Sequence, residues 1–160
     1  MKVYIYDNVK NKKVIGVISK ATKKELPKSN SNWNFDWKLL YSSNALVYKL
    51  AYEEELQGLT KMSRVEEGYY EMSNLELSPE NYGTEGKFSK VAGCLIAYGC
   101  LLTFELNNGN YKGYLAFTSK GELIAHYEKH YYAELVYREK MIISPKNGKR
   151  LIKKFLKLKM

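Results

Sequence analysis

The chain has 160 residues, 45% of them apolar and 14% aromatic, enough to bury one substantial core in a single domain, residues 1–160. Its formal charge of +9, with both signs mixed along the chain, excludes an acidic or largely disordered protein and favours phosphate-bearing partners: nucleic acid, a membrane surface or a cofactor. No apolar run is long enough to span a bilayer and the first residues lack the apolar segment of a secretion signal, so a cytoplasmic, reducing setting without membrane association is expected.

In chain order, Val3 to Tyr6 and Val14 to Ile18 are β-branched and aromatic, and the turn-rich residues 7–11 between them predict a hairpin or two short strands. Lys23 to Asn34, with Pro27 and several Ser and Asn, predicts a loop. Trp33, Phe35 and Trp37 alternate with polar residues; they read as packing on a sheet, or as part of a wall facing a substrate. Residues 45–51 form a good strand pattern, Glu53 to Glu55 a turn, and a further strand begins near Leu56. Gly68 to Leu77 predicts another strand, stopped by Ser78 and Pro79.

Between Lys90 and Leu102 the residues Val91, Cys94, Leu95, Tyr98, Leu101 and Leu102 recur at helical spacing, while Ala92, Gly93, Ala97 and Gly99 allow close approach. Cys94 and Cys100 fall in or beside this helix with no metal-ligand neighbours and read as small buried apolar residues. A turn at residues 107–110 leads to a strand from Tyr114 to Thr118, and Ser119 is the expected N-cap of a helix from Gly121 to about Tyr131. Residues 135–137 and 141–143 predict a hairpin, and Leu151, Ile152, Phe155 and Leu156 the apolar stripe of a last helix. The total is an α+β domain with a mixed, mostly antiparallel central sheet flanked by helices. Edge strands in so small a sheet leave monomer and homodimer both open.

His126 and His130 stand i,i+4 on one helix, but no third ligand accompanies them, so no metal site is expected. The lysines at residues 10–28 and 146–159 read as solvated faces, or as contacts for nucleic acid or an acidic protein.

One stretch carries more. Lys87-Phe88-Ser89-Lys90-Val91-Ala92, followed by Gly93-Cys94-Leu95-Ile96, runs from a strand region into a helix and resembles the Q/R-x-x-G-x-G/A turn of the GNAT N-acyltransferases, with Lys87 in the first position and Ala92 in the last. Lys90 replaces the middle glycine: it adds a charge where a pyrophosphate would lie, and a side chain where backbone would approach it. Downstream, His126-Tyr127-Glu128-Lys129 resembles the family's F-Y-x-K segment, His126 standing at an aromatic position.

The resemblance is strongest over residues 70–133. It implies an acyl-CoA-binding half, residues 66–160, joined to variable N-terminal strands and loops, residues 1–65. It implies acetyl-CoA or a related acyl-CoA bound by Leu77, Ser78, Lys87, Phe88, Ser89, Lys90, Val91 and Ala92, with the backbone of Leu77 and Ser78 donating to the thioester oxygen where a bulge splays the strands. Tyr127 would donate a proton to the departing thiolate, and Glu76 or, second, Glu71 would serve as base for an amine acceptor that the sequence does not identify. The plainer readings stand beside these: Tyr127 as a core residue with its hydroxyl at the surface, and each glutamate as an outward-facing strand carboxylate. The alternative function is a non-catalytic GNAT-like binding module whose basic surface holds nucleic acid or an acidic protein.

Overall fold

Alternating apolar and polar residues fold Lys2–Asp7 (β1) and Lys12–Lys20 (β2) into an antiparallel hairpin whose register runs from Lys2 opposite Val17 to Asp7 opposite Lys12. Here and throughout, the computed structural model describes residues 1–42 and 44–160. The Asp7 carboxylate accepts from the N–H groups of Val9 and Lys10, both at 3.0 Å, and Asn11 takes a left-handed φ of 54° to close the turn. β2 pairs with Leu46–Tyr52 (β3), and β3 with Glu55–Arg64 (β4). The β3–β4 turn places Glu53 (φ 50°) and Glu54 (φ 67°) in the left-handed region that Asn-Gly pairs ordinarily fill. Tyr70–Leu77 (β5) and the two-residue Phe88–Ser89 (β6) complete a six-stranded sheet of order β5-β4-β3-β2-β1-β6. The β3–β4 register shifts between Leu50 and Ala51 of β3.

The chain divides into two compact units. The first comprises Met1–Met62 and Asn74–Leu95. One of its core clusters gathers Ala21, Leu26, Trp37, Ala45, Val47 and Leu59, with Trp33 and Leu40 packed against it. Trp37 is fully buried and opens a short helix, Trp37–Leu40 (α1), while Phe35 stays exposed. Of the three alternating aromatics, Trp37 thus packs inside, Trp33 is half-buried against the cluster and Phe35 is exposed. α1 forms where alternation suggests extended chain because Asp36 caps it, accepting from Leu39 N–H at 3.2 Å, and because burying the indole outweighs local pattern. The segment predicted as loop also contains a single 3-10 turn, Lys23–Glu25, closed by Thr22 N–H donating to Glu25 Oε1 at 2.9 Å.

Val91–Leu106 (α2) extends beyond its predicted end and is apolar nearly all round, which suits a helix buried on most faces. In the first unit α2 approaches β4 closely: a Cβ on Gly58 would stand 2.8 Å from Leu95 Cδ1 and 3.0 Å from Val91 Cγ1. Cys94 and Cys100 are both buried and in no disulfide, and burial pushes the Cys100 thiol up to about 12.

The second unit comprises Ser63–Ser73 and Ile96–Met160. Its sheet, of order β7-β9-β8, consists of Leu115–Thr118 (β7), Glu134–Tyr137 (β8) and Lys140–Ile143 (β9). Leu115, Phe117, Met141 and Ile143 point to one buried face. Ser119 is not a helix cap. Its hydroxyl donates to the Lys120 carbonyl at 2.8 Å, a 3-10 turn Gly121–Leu123 follows, and Ile124–Tyr131 (α3) starts later than predicted. Ser144 does cap Pro145–Leu151 (α4), accepting from Asn147 N–H, and Pro145 occupies the first helical position. α4 continues as a π-helical turn, Ile152–Leu156.

Candidate functional site

Within the first unit, β5 delivers Glu76 to a buried position, 5% exposed, where both carboxylate oxygens are fully engaged. Oε2 accepts from Asn34 N–H at 2.5 Å and from the Tyr82 hydroxyl at 2.9 Å. Oε1 accepts from Phe35 N–H at 3.1 Å and Trp37 Nε1 at 2.8 Å. Four donors meet the roughly four acceptor positions of an ionised carboxylate, so the residue binds the 34–37 segment to the strand. Three of the four donors lie about forty residues away in the chain. Tyr82 responds in turn: desolvation, together with the hydrogen bond to Glu76 and its charge, pushes the phenol up to about 12, although the ring is still 44% exposed.

After Leu77, the Ser78 N–H donates to the Gln57 carbonyl at 2.9 Å, and Pro79–Asn81 makes a 3-10 turn. Asn81 is buried and holds the following loop from inside. Its amide donates to the Gln57 carbonyl and side-chain oxygen at 3.1 and 3.0 Å, and its own oxygen accepts from Phe88 N–H at 2.9 Å. Asn8 holds the same loop from β1, donating to the Gly86 carbonyl and Ser89 Oγ, both at 2.7 Å, while its N–H reaches the Lys87 carbonyl at 2.9 Å. Phe88 is buried against Tyr52, with ring centroids 5.3 Å apart. Lys87, Ser89 and Lys90 are exposed.

Lys90, the residue that replaces the expected glycine, has a φ of 71°. The chain therefore keeps the left-handed turn that glycine makes freely and builds it with a lysine. α2 starts immediately afterwards. Its first i→i−4 bond runs from Cys94 N–H to the Lys90 carbonyl at 3.0 Å, so the N–H groups of Val91, Ala92 and Gly93 are the unpaired donors of a helix start. Oriented amides and the positive end of the helix thus stand beside two exposed lysines, features that favour a nearby anion.

Within the second unit, α3 carries Tyr127 half-buried, its ring edge-on to Phe117 with centroids 5.0 Å apart. Burial raises its phenol above the ordinary tyrosine value. Burial, and secondarily His130, lower His126, and no group of three metal-ligating side chains occurs among the described residues. Glu71 lies on β5 in this same unit, half-buried, where its charge acts on Lys140. The turn at Lys87 to Ala92, with Glu76, Leu77 and Ser78, thus falls in one unit, and Tyr127 with Glu71 in the other.

Sequence reasoning missed Asn8, Asn81 and Tyr82. An Asn beside Pro79 and Gly83 signals a turn, and nothing local announces that its side chain is buried.

No protein-family model matches the sequence, and no curated protein matches it. Solved structures do. A tyrosine-to-phenylalanine variant of the AtaT toxin bound to the C-terminus of the antitoxin AtaR superposes with a TM-score of 0.58 at 11% identity, covering 86% of this chain and 96% of that one. The same variant with AtaR and acetyl-CoA gives 0.58 at 12% identity, covering 86% and 98%. An IAA acetyltransferase from Bacillus cereus ATCC 14579 gives 0.50 at 14%, covering 79% and 95%. At these identities the likeness is one of fold.

Proposed function

We propose that this chain, whose fold is GNAT-like, is an N-acyltransferase that takes an acyl group, acetyl in the first instance, from acyl-CoA and moves it to an amine. The observation that carries the reading is the turn into α2: a left-handed Lys90, exposed Lys87 and Ser89, and the unpaired amides of Val91 to Gly93 suit a pyrophosphate. Acetyl-CoA in one structure of the same fold supports that choice of cofactor. Acyl-CoA would supply the acyl carbon and a thiolate leaving group. The amine nitrogen bonds to that carbon as its bond to sulfur breaks. Tyr127 gives its phenolic proton to the sulfur, and the surplus amine proton passes to Glu76, with Glu71 as the second choice.

Of the donors around Glu76, the Tyr82 hydroxyl belongs to a part-exposed residue and is the contact that an amine would displace. Ser78 N–H is committed to Gln57, so the oxyanion role falls to Leu77 in this scheme. Calorimetric titration with acetyl-CoA and coenzyme A tests it. Micromolar binding is expected, weakened about tenfold for each charge-assisted contact removed in Lys87→Ala and Lys90→Gly. Absence of binding up to millimolar ligand would overturn it.

A second reading, a binding module without catalysis, draws on the exposed Lys149, Arg150, Lys153 and Lys154 along α4 and the turn after it. Its partner would be nucleic acid or an acidic protein; AtaT, for comparison, is seen with an antitoxin segment. Steeply salt-dependent nucleic-acid binding without acyl-CoA binding would favour it. No helix among the described residues is long and apolar enough to cross a membrane.

A further inference from the structure

The second unit contains a cavity of about 270 Å³ that takes no part in the acyl transfer proposed above. Cross-strand pairing explains how it forms. Ala116 of β7 lies opposite Ile142 of β9, and Lys140 is two residues from Ile142, so all three share the face of the small sheet opposite the buried Leu115, Phe117, Met141 and Ile143. Tyr114, two residues before Ala116, continues that face. Tyr69, just before β5, and Tyr111, at the end of a 3-10 turn, supply the other walls, with ring centroids 4.8 Å apart and planes inclined by 32°.

The cavity is thus floored by aliphatic carbon and walled by three tyrosines. Asn110 also lines it, and two of its polar groups, those of Lys140 and Tyr69, are joined. Lys140 Nζ donates to the Tyr69 hydroxyl at 2.7 Å and stands 5.4 Å from the centre of that ring. An ammonium has three donors, so this bond leaves it two, and the Tyr69 hydroxyl, having accepted, keeps its own proton to donate. An ammonium and a hydroxyl with donors to spare suit an acceptor-rich, negatively charged group. The Tyr69 hydrogen bond raises the Lys140 ammonium, against burial and with help from the charges of Glu71 and Glu67, so it remains charged across the neutral range.

We infer that this cavity is a second ligand site, for a small planar ring bearing one anionic group, with the ring against Tyr111 and Tyr114 over Ala116 and Ile142 and the anion on Lys140 Nζ and the Tyr69 hydroxyl. The volume falls just below the usual range of ligand sites, which limits the ring system to one or two rings. An aromatic carboxylate and a nucleotide monophosphate share this chemistry.

Fluorescence and NMR titrations of the full chain with 2-naphthoate, its neutral carboxamide and adenosine monophosphate test the inference. The carboxylate or the nucleotide should bind saturably, and the tighter of the two identifies the source of the anion. Lys140→Met should weaken the anionic probe about tenfold while leaving the neutral carboxamide unchanged, the value of a charge-assisted contact. Tyr111→Ala should weaken every probe that binds. Tyr111 is exposed on a surface turn, so this variant carries the test if Lys140→Met fails to fold by circular dichroism. The inference is overturned if neither anionic probe saturates in the millimolar range, or if the variants that fold bind as the parent does.

Discussion

Replacing Glu76 by Gln keeps the shape of the side chain and removes half of its acceptors. In the parent, two donors converge on each carboxylate oxygen: Asn34 N–H and the Tyr82 hydroxyl on one, Phe35 N–H and Trp37 Nε1 on the other. An amide has one oxygen and one NH2, so in either orientation its NH2 group faces two donors. Two charge-assisted hydrogen bonds are lost, each with a net contribution of about 1.5 kcal/mol or more, and the two remaining bonds lose their charge. Glu76 is 5% exposed, so water cannot readily take over as partner. The expected destabilisation is about 3 kcal/mol, a large fraction of the 5–15 kcal/mol typical of a folded domain. For a chain of this size it should lower Tm by roughly 6–12 °C. Urea unfolding followed by circular dichroism, with an unchanged slope and a lower midpoint, gives the measurement. A loss below about 0.5 kcal/mol, no more than a surface substitution causes, would refute the view that this carboxylate secures the 34–37 segment.

Lys90→Gly should stabilise the fold by about 0.5–1 kcal/mol, because the left-handed backbone at φ 71° costs a lysine more than glycine loses in chain entropy; urea unfolding would show a midpoint no higher than the parent's if the argument is wrong. The Asp7 carboxyl is held below its usual value, chiefly by the Lys10 N–H bond, so its contribution is present above the unfolded value near 4 and is lost as pH falls through the lowered folded one. Asp7→Asn should therefore flatten the acid limb of a stability–pH curve below about pH 4, and an unaltered limb would contradict this. Tyr127→Phe should lower acyl transfer about a hundredfold with acyl-CoA affinity unchanged; equal rates in the two proteins would remove Tyr127 from the proton path.

How far the sequence carried varies by element, for physical reasons. β1, β2 and the β8–β9 hairpin follow from local alternation and turn residues, and α2 from its helical periodicity. α1 does not, because Trp33, Phe35 and Trp37 imitate a strand until the fold buries the Trp37 indole and Asp36 caps the turn. The start of α3 is equally opaque: Ser119 has the composition of a cap, and only the folded chain shows its hydroxyl engaged with the Lys120 carbonyl. At the candidate site, the pattern of residues 87–92 pointed to the turn into a helix but not to the backbone angle of Lys90, since φ is set by the loop that Asn8 and Asn81 hold. Glu76 was legible as a carboxylate on a strand. The donors that fill it come mostly from a distant segment, and such long-range satisfaction leaves no mark in local sequence.

An amide-resolved NMR titration with coenzyme A observes the amides at the start of α2 directly. Saturable shifts that centre on Val91, Ala92 and Gly93 and extend to Lys87 and Lys90 are the predicted result. Saturable shifts confined to other parts of the chain, or none up to millimolar coenzyme A, would contradict it.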